Sequence, residues 1–450
     1  MVTTRPDFTH DGTGTAAAVW ESDPRWVDRP ELPLDGVRRV VVVAAHPDDE
    51  SLGAGGLLAT AHGRGLEIDL VLLTEGELSH PASPTHSRQR LGQRRLAEAK
   101  SALRAVAPDA ALTWMALGDG SVAESESAVA ARLVDLIQDG TDTLVAAPWR
   151  HDGHPDHEAA GRAAATAARR TDATLVEYPV WWWHWGVPAD APWSAIRRLD
   201  LSDTARARKH RAIAAHSSQV LPLSDQVGDE VMLHPGFLEH FHGSVEVYVV
   251  EGSHDSAEDL ALDDLHRSES DPWGVDQRWY EQRKRDLTLA MLPRWSFGRG
   301  VEVGCSTGAL AERLAERCGE LLALDSSPAA VERARRRLAD LGHVRVDLQQ
   351  VPREWPPGPL DLVMVSEVAY FLSPRELRAL VDRVCHSLTP DGVVVLCHWR
   401  HRIDGWVLDG AQVRRGFADD ARLAVQATYR DRDVEIVLLG AVDVLPDPTV

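Results

Sequence analysis

The chain has 450 residues, 44% hydrophobic and 26% charged, a globular profile long enough for two or three domains. Its formal charge of −21, with no compensating lysine or arginine stripe, excludes a nucleic-acid partner, and no apolar run approaches the roughly 20 residues of a membrane-spanning helix. The opening MVTTRPDFTHDGTG lacks the apolar core of a secretory signal, and Cys305, Cys318, Cys385 and Cys397 show no C-x-x-C spacing, so buried thiols in a reducing cytoplasm are expected.

After an N-terminal extension over residues 1–35, RRVVVVAAH predicts a buried strand. The string AAHPDDESL follows and places His46, Asp48, Asp49 and Glu50 where strand gives way to turn. Pro47 fixes its own φ and biases His46 towards an extended conformation, so the strand ends at His46. His46 and Asp49 can then converge on one cation, while Asp48 points elsewhere, towards a water beside it. Glu50 is expected to be a structural partner of the turn. Helical stretches follow at Ser51–Arg64 and Ser87–Val106, separated by the strand LEIDLVLLTEG. Within the second helix, Arg95 and Glu98 are spaced for a surface ion pair. The strand DTLVAAPW leads into HDGHPDHEAAG, which carries His154, Asp156 and His157. Pro155 suits a first helical position and EAAGRAAATAARR is rich in helix formers, so a helix starts there with His157 in its first turn. The positive end of that helix then faces the cation and favours a developing oxyanion. Two such polar turns at the ends of apolar runs supply three N/O ligands with an open position, the usual arrangement of hydrolytic zinc. Iron or another divalent ion fits the same donors. WWWHWG, Trp181–Gly186, holds four of the 15 tryptophans and suits either sugar or lipid contact or packing.

Residues 252–270, GSHDSAEDLALDDLHRSES, are acidic and weakly apolar, which fits a connector with a short helix between domains 1–251 and 271–450. The pattern then restarts. Val301–Val303 ends a strand, Gly304-Cys305-Ser306-Thr307-Gly308 makes a tight turn, and Ala309–Arg317 opens a helix. The strand LLALD ends in Asp325, 21 residues after Gly304, the interval at which an acidic side chain reaches ribose hydroxyls. PGPLDLVMVSEVAYFL predicts a strand ending near Ser366-Glu367, TPDGVVVLCHWR another, and RLAVQATYRDRDVEIVLLGAV a closing antiparallel pair. The fold expected is α/β: two domains, each a mostly parallel Rossmann-like sheet flanked by helices, with ligands at the carboxyl ends of strands.

AHPDDE and HPDH resemble the signatures of the PIG-L/LmbE-like zinc N-deacetylases. Thr74-Glu75-Gly76-Glu77, Arg95 with Glu98, LGDG at Leu117–Gly120 and HSSQ at His216–Gln219 extend the resemblance over roughly residues 36–250. It implies His46, Asp49 and His157 as zinc ligands and Asp48 as general base. His154 is the candidate for polarising the amide carbonyl, or else a capping residue, and Asp156 for orienting an imidazole. Arg95 and Asp119 resemble positions that hold sugar hydroxyls or a polar head group.

The second half resembles motif I of class I S-adenosylmethionine-dependent methyltransferases. Glu302 stands where an acidic residue contacts the amino-acid part of the cofactor, and Ser306 stands where many members have glycine. The implied cofactor site comprises Glu302, Gly304, Cys305, Gly308, Asp325, Ser326 and Glu367. DPWG at Asp271–Gly274, WYEQRK at Trp279–Lys284, SEVAYFL and CHWRH resemble the nodulation protein S branch, which methylates the amine of a deacetylated glucosamine oligomer. Glu367, Tyr370 and His398 are candidates to bind or deprotonate an acceptor amine, with core packing as the other reading of Tyr370.

A bifunctional enzyme is expected, acting on a small-molecule amino sugar or glycoconjugate with zinc and S-adenosylmethionine. The sequence leaves the number of subunits open. Two rival readings remain: a deacetylase whose C-terminal half is non-catalytic or O-methylating, and a nicotinamide-dependent second half, since such folds share the glycine turn.

Overall fold

The structure is a computed structural model and describes residues 14–27, 29–250, 266–269, 271–441 and 444–445. The acidic connector expected over 252–270 lies mostly outside the described residues. The chain divides into two compact units, Met1–Ala257 and Glu258–Val450.

The first unit is built on seven strands: β1 (Arg39–Ala44), β2 (Glu67–Thr74), β3 (Ala111–Leu117), β4 (Thr143–Pro148), β5 (Thr174–Tyr178), β6 (Ile196–Asp200) and β7 (Val245–Val249). They lie in the order β3-β2-β1-β4-β5-β7-β6. The first five are parallel, whereas β7 runs antiparallel to both β5 and β6. Val40–Ala45 are fully buried, as a central parallel strand covered by helices on both faces requires. The helix Pro155–Thr171 packs through a face of buried alanines, Ala159, Ala160, Ala163, Ala164, Ala167 and Ala168, whose small side chains let it lie close to the sheet. Helix formation after β1 begins earlier than expected, at Asp49, and breaks into Asp49–Gly53 and Gly55–Gly63. The buried Tyr178 ring accounts for Gly53: a Cβ there would lie 2.0 Å from it.

The second unit repeats the plan with β8 (Phe297–Val303), β9 (Cys318–Asp325), β10 (Val344–Leu348), β11 (Leu360–Ser366), β12 (Leu388–Trp399), β13 (Ala424–Arg430) and β14 (Val434–Gly440). Their order is β10-β9-β8-β11-β12-β14-β13, with β14 antiparallel to β12 and β13. Separate apolar clusters cover the two faces of this sheet, one around Leu314, Ala323 and Met364, the other around Val365, Leu380 and Phe417. Three of the four thiols are buried as expected. Cys385 is only half-buried, because it lies on the amphipathic helix Pro374–Ser387 away from the stripe Leu377, Leu380, Val381 and Val384 that meets the sheet. Among the described residues, no helix is long and apolar enough to cross a membrane.

Candidate active sites

In both units the strand order reverses between the first and fourth strands, β1 and β4 or β8 and β11, and the predicted site residues gather at the carboxyl ends beside that switch point.

In the first unit β1 delivers His46, and Pro47 turns the chain. Asp48 takes φ 123°, a region that costs a non-glycine residue about 1–3 kcal/mol. That turn is held on three sides. Arg95 donates to Pro47 O and Gly76 O, both at 2.7 Å, and to Asp48 Oδ2 at 3.1 Å. Glu50 accepts from Asp48 N at 3.1 Å and from Ser51 Oγ at 2.8 Å, and it meets His216 Nε2 at 3.1 Å. Asp49 Oδ2 accepts from His46 N at 2.8 Å. The helix-surface pair expected between Arg95 and Glu98 does not form. Arg95 is buried against the turn, and Glu98 is taken by Arg94 and by Ser217 and Ser218 of the HSSQ segment.

The second cluster closes on the first. His46 Nε2 lies 3.2 Å from both Asp119 Oδ1 and Asp156 Oδ2, and its Nδ1 lies 3.7 Å from Asp49 Oδ2. Asp156 also accepts from Gly120 N and Val122 N, which pins the LGDG turn beside His46. The imidazoles of His46, His154 and His157 lie 4.6–5.4 Å apart. Among the described residues, donor atoms within 4.8 Å of one another occur in two sets, His46 with His154 and His157, and His46 with Asp119 and Asp156. Asp49 bridges towards His157, with Oδ1 3.2 Å from Nε2.

His157 tests whether a cation fits. Its Nδ1 is fixed by Asp152 Oδ2 at 2.7 Å, while Nε2 is buried and makes no hydrogen bond. A carboxylate behind one ring nitrogen, with the other nitrogen buried and facing a second carboxylate oxygen, is how proteins present histidine to a metal. Asp152 is the residue the sequence did not reveal. It is fully buried and accepts from the backbone N–H groups of Val180, Trp181 and Trp182. WWWHWG thereby acquires a structural task. Trp182 and Trp183 pack against Trp20, Trp181 stacks on Phe237 at 4.7 Å, and Trp185 Nε1 donates to Asp152 O at 2.9 Å.

Electrostatics differentiate the carboxylates. Burial pushes Asp48 up to about 6, against the pull of Arg95. Asp49 is also buried, yet its contacts with His157 and His46 hold it well below the usual carboxylate range. Burial, reinforced by His157 and His46, keeps His154 well below its ordinary value and therefore neutral. His154 also caps the following helix, its Nδ1 accepting from Asp156 N at 3.2 Å. The neutral ring consequently carries its proton on Nε2.

The second unit builds its site from backbone. Gly304 N and Cys305 N donate to Leu324 O, and Gly308 N donates to Cys305 O. Gly304, Ser306 and Gly308 all have positive φ, and a Cβ on Gly304 would lie 2.6 Å from Val368. Asp325 accepts from Ser306 N at 2.8 Å and Ser327 N at 2.9 Å, with Ser326 exposed between them. Beneath the turn Glu302 is buried and its Oε2 has no hydrogen-bond partner, and burial followed by Asp325 pushes its carboxyl well up. A buried acceptor lacking a donor suits the amino-acid end of a cofactor. At the end of β11, Glu367 takes φ 55° and accepts from Lys284 Nζ, Tyr370 OH and Trp399 N. The Tyr370 ring is buried, and its hydroxyl donates to Glu367 Oε2 at 2.8 Å. His398 stands next to it, ring centroids 5.5 Å apart. Lys284, the last residue of WYEQRK, gains its role only through this pairing with Glu367.

Comparison with known proteins agrees with this division. Residues 41–168 match the family model PIG-L, described as GlcNAc-PI de-N-acetylase, and residues 253–411 match that of nodulation protein S, NodS. The chain joins a PIG-L domain to a NodS-type methyltransferase domain. The NodS domain is similar to nodulation protein S of Rhizobium tropici, 34% identical over 28% of this chain and 53% of that protein. The PIG-L domain is similar to the 1D-myo-inositol 2-acetamido-2-deoxy-alpha-D-glucopyranoside deacetylase of Kineococcus radiotolerans, 29% identical over 36% of this chain and 59% of that protein. The chain thus spans between half and two-thirds of the length of these curated relatives. Among solved structures, N-methyltransferase NodS from Bradyrhizobium japonicum WM9 with S-adenosyl-l-homocysteine is similar at 24% identity, covering 40% of this chain and 95% of that one, with a TM-score of 0.37. Both domains belong to families of enzymes.

Proposed function

We propose that this is a bifunctional enzyme. The half 1–251 removes the acetyl group from an N-acetylated amino sugar or glycoconjugate, and the half 271–450 methylates the exposed amine with S-adenosylmethionine. The observation that carries the first reaction is the buried Nε2 of His157, which faces Asp49 Oδ1 at 3.2 Å without a formed hydrogen bond, with Asp152 fixed behind the ring.

His46, Asp49 and His157 would hold a zinc ion, with His154 at the edge of the same group. When bound, the ion supplies Lewis acidity for the amide carbonyl and acidifies a water. Asp48 has Oδ2 engaged by Arg95, which leaves Oδ1 to take the proton of the attacking water and return it to the departing nitrogen. His154 donates from Nε2 to the carbonyl oxygen as negative charge develops there. Asp156 orients His46, and Arg95 holds the turn that aims Asp48. Asp119, at the rim beside His46, is the group placed to meet a sugar hydroxyl.

Acetate and a primary amine result. A neutral amine is what an N-methyltransferase requires, so the product of one half suits the other. In the second half Glu302 receives the amino-acid end of the cofactor, and Asp325 with Ser326 receives the ribose. Gly304, Cys305 and Gly308 let the backbone approach, and Glu367 borders the acceptor.

Incubating zinc-loaded protein with an N-acetylglucosaminide and S-adenosylmethionine tests the whole proposal by mass spectrometry, with a deacetylated and N-methylated sugar expected. Protein that gains no hydrolytic activity on metal reconstitution ends the first half of the proposal. No methylated product even when the free amine is supplied ends the second.

A further inference from the structure

Three of the polar groups at the acceptor end of the NodS domain already have partners. Glu367 Oε1 accepts from Lys284 Nζ at 2.7 Å, and Oε2 accepts from Tyr370 OH and Trp399 N, each at 2.8 Å. Lys284 is shared with Glu281, 2.9 Å away, and Tyr370 spends its O–H on Glu367. Burial raises the Glu367 carboxyl, but Lys284 and then His398 outweigh it and hold the group below its ordinary value. A carboxylate with this many donors is a poor proton acceptor.

His398 is different. It is 3% exposed, and its Nε2 is buried without a hydrogen-bond partner. It follows Cys397, which pairs with Ser366 across β12 and β11, so it sits at the carboxyl edge next to Glu367. Val368, the residue after Glu367, packs against Gly304 of the cofactor turn. A second orphan lies in the same group: the hydroxyl of Tyr280 is buried and unpartnered, with its ring 5.4 Å from Lys284 Nζ and 5.8 Å from the Trp399 ring.

We infer that His398 is the catalytic residue that receives the acceptor amine, accepting an N–H at Nε2 so that the nitrogen lone pair points at the transferable methyl group. This rests on the amine-methylating reading above. A neutral primary amine has two N–H groups and one lone pair. His398 Nε2 and Tyr280 OH offer two acceptors with no other partner, which leaves the lone pair for reaction. Lys284 is a positioning residue that withdraws Glu367 from competition. The charged groups that act on His398 are Glu367, just after β11, and Lys284 from the helix Trp279–Ala290, and the Tyr370 ring packs beside it. Burial dominates among them and holds the imidazole down to about 4, so it is neutral at physiological pH.

In the transfer the amine nitrogen forms a bond to the methyl carbon. The carbon–sulfur bond breaks with its electron pair staying on sulfur, turning a sulfonium into a thioether. The secondary ammonium then releases one proton along its hydrogen bond to His398 and on to water.

The test uses the full chain and glucosaminyl-N-acetylglucosamine, a disaccharide with one free amine. His398→Phe should lower the methylation kcat by about 100-fold. By calorimetry it should weaken disaccharide binding, measured with S-adenosylhomocysteine present, by about tenfold. Affinity for S-adenosylhomocysteine itself should stay within about twofold, which also shows that the variant folds. His398→Asn, which keeps an acceptor, should recover part of the rate, and Tyr280→Phe should show a smaller loss. If His398→Phe retains kcat within about threefold of wild type, or loses S-adenosylhomocysteine binding, the inference is overturned while amine methylation stands. If the wild type leaves the amine unmethylated, the underlying reading fails and this one with it.

Discussion

The two units wind seven strands in one order yet build opposite kinds of site at the switch point. In the PIG-L domain the crevice is crowded with converging side chains, His46, Asp48, Asp49, Asp119, His154, Asp156 and His157, each aimed by a second residue or a turn. In the NodS domain the glycine turn is emptied of side chains: Gly304 and Gly308 bring backbone to the surface, and the buried carboxyl of Glu302 lies beneath with one oxygen unpartnered. The first is a site of atoms present and the second a site of atoms left out. Deletion should therefore break one and addition the other, and because each site lies within its own compact unit, each change should spare the other reaction.

The largest effect is expected from deletion. Asp48→Ala should reduce acetate release by about 10²–10⁴-fold, the range of a lost general base, with metal content by elemental analysis unchanged. His157→Ala should lose the metal and with it all hydrolysis. Equal metal loss from both variants would show that base and ligand have been confused. Asp152→Asn keeps the shape but weakens the partner of His157 Nδ1, so metal affinity should fall about 10–100-fold in a competitive chelator titration. In all three variants methylation of a supplied free amine should persist.

The converse test adds one methyl group. Gly304→Ala places a Cβ 2.6 Å from Val368 in a backbone conformation, φ 75°, that L-residues rarely adopt. S-adenosylmethionine affinity should drop by about tenfold or more by calorimetry, with deacetylation intact. A Gly304→Ala protein that binds the cofactor normally would mean that the glycine turn serves the fold rather than a ligand.

How much of this was legible depended on whether the determinant was local. Strands β1, β2, β4, β8, β9, β11 and β12 announced themselves as apolar runs. The candidate metal cluster did so because histidine and aspartate fell where those runs ended. The half-exposed edge strand β3 and the short β5 carry too little apolar pattern to separate them from their surroundings. Asp152 sits in the quoted string HDGHPDHEAAG. Its importance lies in three backbone N–H groups 28–30 residues on and in one imidazole nitrogen, none of which composition encodes. Lys284 looks like a solvated helix position until Glu367, 83 residues away, pairs with it. Arg95 and Glu98 obey a helix-spacing rule that tertiary contacts override: the guanidinium is taken by three buried acceptors, and the Glu98 carboxylate is itself buried and held by Arg94, Ser217 and Ser218.

Arg95 also gives a test of intermediate size. Arg95→Met retains the bulk and removes the donors, leaving Pro47 O and Gly76 O, and one Asp48 oxygen, without their partner. Stability in a denaturant titration should fall by about 2–4 kcal/mol. Deacetylation should weaken mainly through kcat, because the turn that aims Asp48 loosens. An unchanged unfolding midpoint would show that the strained φ of Asp48 is held by Glu50 alone.

The smallest expected effect returns to the cofactor turn. Ser306 occupies the left-handed region at φ 49°, where glycine is relaxed, and its Oγ lies 3.0 Å from His266 Nε2. Ser306→Gly removes a backbone cost of about 1 kcal/mol. It also returns about 0.4–1 kcal/mol of freedom to the unfolded chain and gives up a hydrogen bond worth about 1 kcal/mol. The net should be a destabilisation below about 1 kcal/mol, a shift of a few degrees at most in thermal unfolding. A gain of stability instead would mean that the serine hydroxyl contributes nothing through His266, and the turn would then be governed by backbone conformation alone.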